Sequence, residues 1–117
     1  MHKITAMDIF YALSAPTRRS IVELLAVEGQ LTSTAIALKF PWSPPAISQH
    51  LQVLRKTGLV HMEKHGQERI YEIDPIALKQ LENWSMHMAS QWNDRLDKSE
   101  AAGFYKARQK ILVKAKK

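Results

Sequence analysis

The 117-residue chain predicts a mainly α-helical fold carrying one β-hairpin, with about five to six helices. Three observations predict it. Apolar residues recur at helical spacing over most of the chain. Prolines, serines and glycines stand where helices would start and stop. Between Val60 and Ile73 the period changes from helical to alternating, as it does in strands.

The first helix is expected over Thr5–Ser14, with Ile9, Phe10 and Leu13 on one face. Pro16 suits the first turn of a second helix, where its missing N–H would be unpaired anyway. Ser14 or Ala15 would cap that helix, Ile21, Leu24 and Leu25 form its stripe, and Gly29 ends it. A short third helix follows Thr32 or Ser33 and packs Ile36 and Leu38. Phe40-Pro41-Trp42 must turn, because the residue before a proline is pushed out of helical geometry. Ser43 caps a fourth helix with Pro44 and Pro45 in its first turn, and Gly58 stops it after Lys56. Val60, Met62, Tyr71 and Ile73 mark two strands, with Lys64-His65-Gly66-Gln67 as the hairpin tip. Asp74-Pro75 opens a long helix to about Lys98, and Gly103 breaks the chain before a tail.

Charge narrows the function classes. Residues 1–100 hold 11 Lys+Arg and 11 Asp+Glu, so the net charge of +6 belongs to Lys106, Arg108, Lys110, Lys114, Lys116 and Lys117. A high pI alone therefore says little about the central region. The chain has no cysteine, which excludes disulfides and thiolate metal sites. No apolar run approaches the roughly 18 residues of a membrane span, and Met1–Ala6 lacks the apolar block of a signal peptide. A cytoplasmic protein without a membrane partner is expected. No phosphate loop, nucleophile elbow or paired carboxylates appear, so neither an enzyme nor a cofactor is expected. Residues 1–100 are read as one domain with dimerisation helices at both ends, and 101–117 as a basic tail.

Two short helices joined by a tight turn and followed by a hairpin make a winged helix-turn-helix. The helix from Ser43 to Lys56 is expected to enter the major groove of duplex DNA, which is wide enough for a helix and displays distinct base edges. Ile47, Leu51 and Leu54 anchor it, leaving Ser43, Pro44, Pro45, Ser48, Gln49, Gln52 and Lys56 for DNA. Gln49 can donate and accept at once, which matches adenine. His50 lies at the edge of the apolar face, between a phosphate contact and a packing role. Unpaired N–H groups at the helix start favour phosphate, although Pro44 and Pro45 remove two. In the wing, Lys64, His65, Gln67 and Arg69 are candidates for phosphate or the minor groove, with Glu63 and Glu68 diluting their charge. Arg18 and Arg19 are read either as phosphate contacts or as structural ion pairs.

Three runs resemble the arsenic-repressor (ArsR/SmtB-type) regulators. They are Ala12-Leu13-Ser14-Ala15-Pro16-Thr17-Arg18-Arg19-Ser20-Ile21, Ser43-Pro44-Pro45-Ala46-Ile47-Ser48-Gln49-His50-Leu51 and Val53-Leu54-Arg55-Lys56-Thr57-Gly58-Leu59-Val60. The resemblance covers about residues 5–98. It implies a homodimeric repressor that leaves a pseudo-palindromic operator when an effector binds, with the first and the long post-wing helices forming the dimer interface. The chain departs from the family pattern at Pro44, at Gln49, where a basic residue is common, and at Gln67, where an Arg commonly follows the wing glycine.

The long helix carries Leu78, Leu81, Trp84, Met88 and Trp92 as a helical stripe. The expected dimer interface is Ile9, Phe10, Leu81, Trp84, Met88 and Trp92. A second reading has Trp84, Met88 and Trp92 lining a pocket for an apolar small-molecule effector. Metal sensing would need His/Asp ligands, yet the long helix offers only His87 with Asp94 two turns on. His61 and His65 share a strand face about 13 Å apart, too far to chelate one ion, so a metal-independent member is expected and no metal site is assigned. The tail from Phe104 would add salt-sensitive phosphate attraction at most. Two alternatives stay open: a metal-responsive repressor, and a winged-helix protein-interaction module. An acidic recognition face would favour the latter.

Overall fold

The computed structural model describes residues 6–98 and 108–109. Gly103 and the basic tail, apart from Arg108 and Gln109, lie outside them, as does Thr5. The order is α1 (Ala6–Ala12), α2 (Pro16–Glu28), β1 (Leu31–Thr32), α3 (Ser33–Leu38), α4 (Pro44–Lys56), β2 (Val60–His65), β3 (Glu68–Ile73) and α5 (Pro75–Asp97). The chain divides into two units, Met1–Glu82 and Asn83–Lys117, and α5 contributes to both. Among the described residues no helix is long and apolar enough to cross a membrane.

The expected start and stop signals operate. Thr32 Oγ1 accepts from Ala35 N at 3.0 Å and caps α3. Asp74 Oδ1 accepts from Ile76 N at 2.8 Å at the start of α5. Gly29 and Gly58 follow α2 and α4 with φ of +88° and +83°, a region that glycine enters without a Cβ penalty. Thr57 reinforces the end of α4, its hydroxyl donating to Val53 O at 3.1 Å. The cap of α2 is Ala15, which offers no side-chain bond; Ser14 instead donates to Tyr11 O at 2.7 Å.

The sheet has the order β1-β3-β2, antiparallel throughout. Strand β1 is too short to show alternation, and no local pattern marks it. It pairs Leu31 with Tyr71 and Thr32 with Ile70, which ties the start of α3 to the wing. The hairpin tip narrows from four residues to Gly66-Gln67, because Lys64 and His65 remain paired with Arg69 and Glu68. Gly66 has φ +64° and no other residue of the turn is positive, as a type II′ turn requires.

The core joins Ile9 of α1, Ile21, Val22 and Leu25 of α2, Ile36 of α3, the α4 stripe, Val60 and Tyr71 of the sheet, and Ala77. Burying each large aliphatic side chain contributes about 1.5–3 kcal/mol. Two core expectations change. Leu38 is 81% exposed, because the six-residue α3 has room for one inward position, taken by Ile36. In α2, Val22 is buried while Leu24 is only half-buried. Phe40 and Trp42 stack across Pro41, with ring centroids 4.6 Å apart.

Among the described residues Arg18 forms no ion pair, and its burial leaves little of it for a phosphate. It is 8% exposed. Its Nε donates to Ala12 O at 2.8 Å and its terminal nitrogen to Tyr11 O at 3.0 Å. Arg19 donates to Leu13 O at 2.6 Å. The two guanidiniums thus donate to the last carbonyls of α1 and the residue after it, where positive charge is also favourable; Tyr11 O also accepts from Ser14 N at 3.1 Å. The Arg18 charge reaches His50 of α4. Burial first, and that charge second, hold the His50 imidazole below its ordinary value of 6.5.

Two predictions follow from this clamp. Arg18→Met should cost about 1–3 kcal/mol in urea unfolding, since it strands the buried Ala12 carbonyl, and Arg18→Lys should not restore the loss, because a lone ammonium lacks the planar fork. Since the folded state resists protonating His50, wild-type stability relative to His50→Gln should be highest above the unfolded value. It should decline as pH falls through about 6.5 toward the lower folded value. Denaturation midpoints across a pH series measure it.

Candidate nucleic-acid interface

Helix α4 presents the face that its pattern predicts. Ile47, Leu51 and Leu54 are buried. Ser43, Pro44, Pro45, Ser48, Gln49, Gln52 and Lys56 are exposed, and His50 is half-buried beside Arg18. No acid occurs between Pro44 and Lys56. The exposed face is therefore polar and weakly cationic, as a duplex requires.

The start of α4 offers less to an anion than expected. Pro44 and Pro45 have no N–H. Ala46 N is taken by Ser43 Oγ at 3.3 Å and Ile47 N by Ser43 O at 3.0 Å. No backbone donor of this first turn is left, so attraction for phosphate must come from side chains.

The wing sorts its charges by face. Cross-strand partners point to the same side of an antiparallel pair and alternate along it. Val60↔Ile73, Met62↔Tyr71 and Lys64↔Arg69 share one side. Val60 and Tyr71 are buried there, so Lys64 and Arg69 carry the core-facing side outward past the core. His61↔Glu72, Glu63↔Ile70 and His65↔Glu68 share the other. On it His61 Nε2 meets Glu72 Oε1 at 3.1 Å, Gln30 donates to Glu72 at 2.7 Å, and His65 Nε2 meets Glu63 at 3.1 Å. Glu63 and Glu68 therefore do not dilute Lys64 and Arg69; they sit on the opposite face. His65 goes with the acids, and Gln67 lies in the turn.

A cleft of about 260 Å³ opens between α3, α4 and β3. Ser33, Thr34, Ser48 and Arg69 line it together with Ile47, Leu51 and Tyr71 of the core side. Ser33 and Thr34 were not singled out by sequence. In sequence Ser33 is at most a cap, and only the packing of α3 against β3 brings the two beside Arg69.

The remaining candidates divide. Ile9 is wholly buried within the single chain, whereas Phe10 is 37% exposed. Leu81 packs partly against the core. Farther along α5, Trp84, Met88 and Trp92 keep 42%, 41% and 45% of their surface exposed, and Arg95 lies over the Trp92 ring at 5.5 Å. Among the described residues no group of three or more His, Asp or Glu could hold a metal ion.

A family model described as a helix-turn-helix domain matches residues 13–63. The transcriptional repressor SdpR of Bacillus subtilis is 33% identical over 89 residues, spanning 76% of this chain and 98% of that protein. An HTH-type transcriptional regulator of Mycobacterium tuberculosis, Rv2034, is 46% identical over 70 residues, covering 60% of this chain and 64% of its own. An ArsR-like transcriptional regulator from Rhodococcus sp. RHA1 superposes with a TM-score of 0.70 at 30% identity, over 78% of this chain and 85% of that one. The acid-free face of α4, the two-faced wing and these relatives converge: the chain belongs to the ArsR family of winged helix-turn-helix, DNA-binding transcription regulators.

Proposed function

We propose that this protein is a homodimeric transcriptional repressor that lays α4 in the major groove of a pseudo-palindromic operator and the wing on the adjoining backbone. The observation that carries the reading is the absence of acid from the whole of α4 together with Lys64 and Arg69 on one side of the wing. A protein-interaction module does not need an acid-free face of helical width beside a cationic strand pair. Gln49 is the base reader, because it is exposed one residue from Ser48 and carries a donor and an acceptor in the spacing of adenine N7 and N6. Lys56 and Lys64 act on phosphate. Dimerisation draws support from Trp84, Met88 and Trp92, which space large apolar surface at i, i+4 and i+8. The metal-responsive alternative loses ground, since His61 and His65 each face a glutamate rather than one another.

Selection from a random duplex pool tests the reading: enrichment of a two-fold symmetric motif, with half-sites about one helical turn or a multiple apart, is expected, and no enrichment over input refutes it. On the enriched duplex Gln49→Ala should lose about 1–3 kcal/mol and relax one position of each half-site. Lys64→Ala should weaken specific and random DNA alike. In sedimentation the wild type should run as a dimer at micromolar concentration, and Trp92→Glu should shift it to monomer.

A further inference from the structure

We propose that the cleft between α3, α4 and β3 is a seat for one backbone phosphate of duplex DNA, gripped by Arg69 and by the hydroxyls of Ser33, Thr34 and Ser48, with Lys64 as a second cation at its rim. The proposal rests on the DNA-binding reading and assigns where on this chain the backbone is held. Three observations carry it.

The first is the register. Lys64 and Arg69 are direct cross-strand partners, and like charges placed opposite one another destabilise a sheet. Among the described residues no ion pair engages either of them, although three glutamates lie on the same two strands. Those acids are held on the other face by alternation. An anion shared by Lys64 and Arg69 removes the repulsion, and a phosphodiester is the anion that the neighbouring helix meets.

The second is the chemistry of the cleft. Its polar lining consists of one guanidinium, the three aliphatic hydroxyls of Ser33, Thr34 and Ser48, and the phenol of the buried Tyr71, without a carboxylate. Hydroxyls donate to phosphate oxygens, and a guanidinium matches two of them at once. A volume of about 260 Å³ holds a phosphate group with part of its water, each water taking roughly 30 Å³.

The third is elimination. The usual anion-binding element of a recognition helix, its free N-terminal amides, is missing here. Prolines fill the first two positions and Ser43 occupies the amide of Ala46. A duplex approaching the exposed face of α4 at Ser48 therefore meets its nearest backbone donors in the cleft beside it.

The test measures affinity for the selected duplex and for a random duplex of equal length, by fluorescence anisotropy across a chloride series. Arg69→Gln should weaken both by the same factor, about five-fold or more. It should also lower the slope of log affinity against log salt by about one for each neutralised phosphate released. The double variant Ser33→Ala/Thr34→Val should weaken both duplexes several-fold with the slope unchanged, because it removes no charge. Arg69 is exposed, so its variant should melt with the wild type. If Arg69→Gln leaves affinity and slope unchanged while Gln49→Ala still relaxes specificity, the seat is wrong and the DNA-binding reading stands. If wild-type protein binds neither duplex, both fall. Inorganic phosphate at matched ionic strength should displace DNA from the wild type more readily than from Arg69→Gln; equal displacement from both means that the cleft does not hold the phosphate, and overturns the proposal.

Discussion

The register of the β2–β3 hairpin governs what the rest of the binding face can be. Strand alternation has a period of two, so a slip of one residue would exchange the two faces wholesale. Lys64 and Arg69 would then turn to the outer side, Glu63, Glu68 and Glu72 would take their place, and the edge beside α4 would be acidic. The register is held at both ends. Val60 and Tyr71 are buried in the core at the base, and Gly66 closes a two-residue turn at the tip with φ +64°. Strand β1 adds a third restraint by pairing Leu31 with Tyr71. Two buried side chains and one glycine thus fix the charge pattern of a wing whose outer residues are all exposed.

The same core fixes α4. Its Ile47, Leu51 and Leu54 leave the helix one rotation about its axis, and that rotation presents Ser48, Gln49 and Gln52. The Arg18 clamp reaches this helix from behind. Arg18 holds the end of α1 by hydrogen bonds and faces His50 of α4 through its charge. A buried cation is normally costly, yet here it replaces water at two carbonyls, those of Ala12 and Tyr11. The clamp makes the end of α1, the start of α2 and the recognition helix parts of one polar and apolar assembly.

Much of this was legible in the sequence. Helix limits followed from Pro16, Gly29, Ser43, Gly58 and Asp74, because proline, glycine and capping side chains act locally. The inward stripe of α4 followed from period alone. What stayed hidden depended on contacts distant in sequence. The two-residue β1 has no pattern of its own and exists only because β3 offers an open edge. Arg18 looked like a surface charge, since nothing nearby in sequence announces that its partners are the last carbonyls of the preceding helix. Leu38 reads as core, since a helical period cannot reveal that a helix of six residues fully buries one position, Ile36, with only Ala37 packed partly beside it. Ser33 reads only as a candidate cap and Thr34 carries no signal, and their neighbour Arg69 lies far along the chain.

The charge balance takes on a different meaning in three dimensions. Over residues 1–100 the chain is neutral, which on composition alone argues against a polyanionic partner. Neutrality of the sum does not imply neutrality of each face. Acids on the wing are placed behind it and engaged locally by His61, His65 and Gln30, while the bases lie beside α4 without such partners among the described residues. Such a separation gives the domain a directed field with little net charge. A field of this kind orients the wing toward a phosphate backbone at close range, within about 8–10 Å at physiological salt. It adds little attraction beyond that distance. In the complex we propose, discrimination between sequences then falls to the neutral Ser48, Gln49 and Gln52, whose hydrogen bonds would depend on the base edge they meet and not on charge.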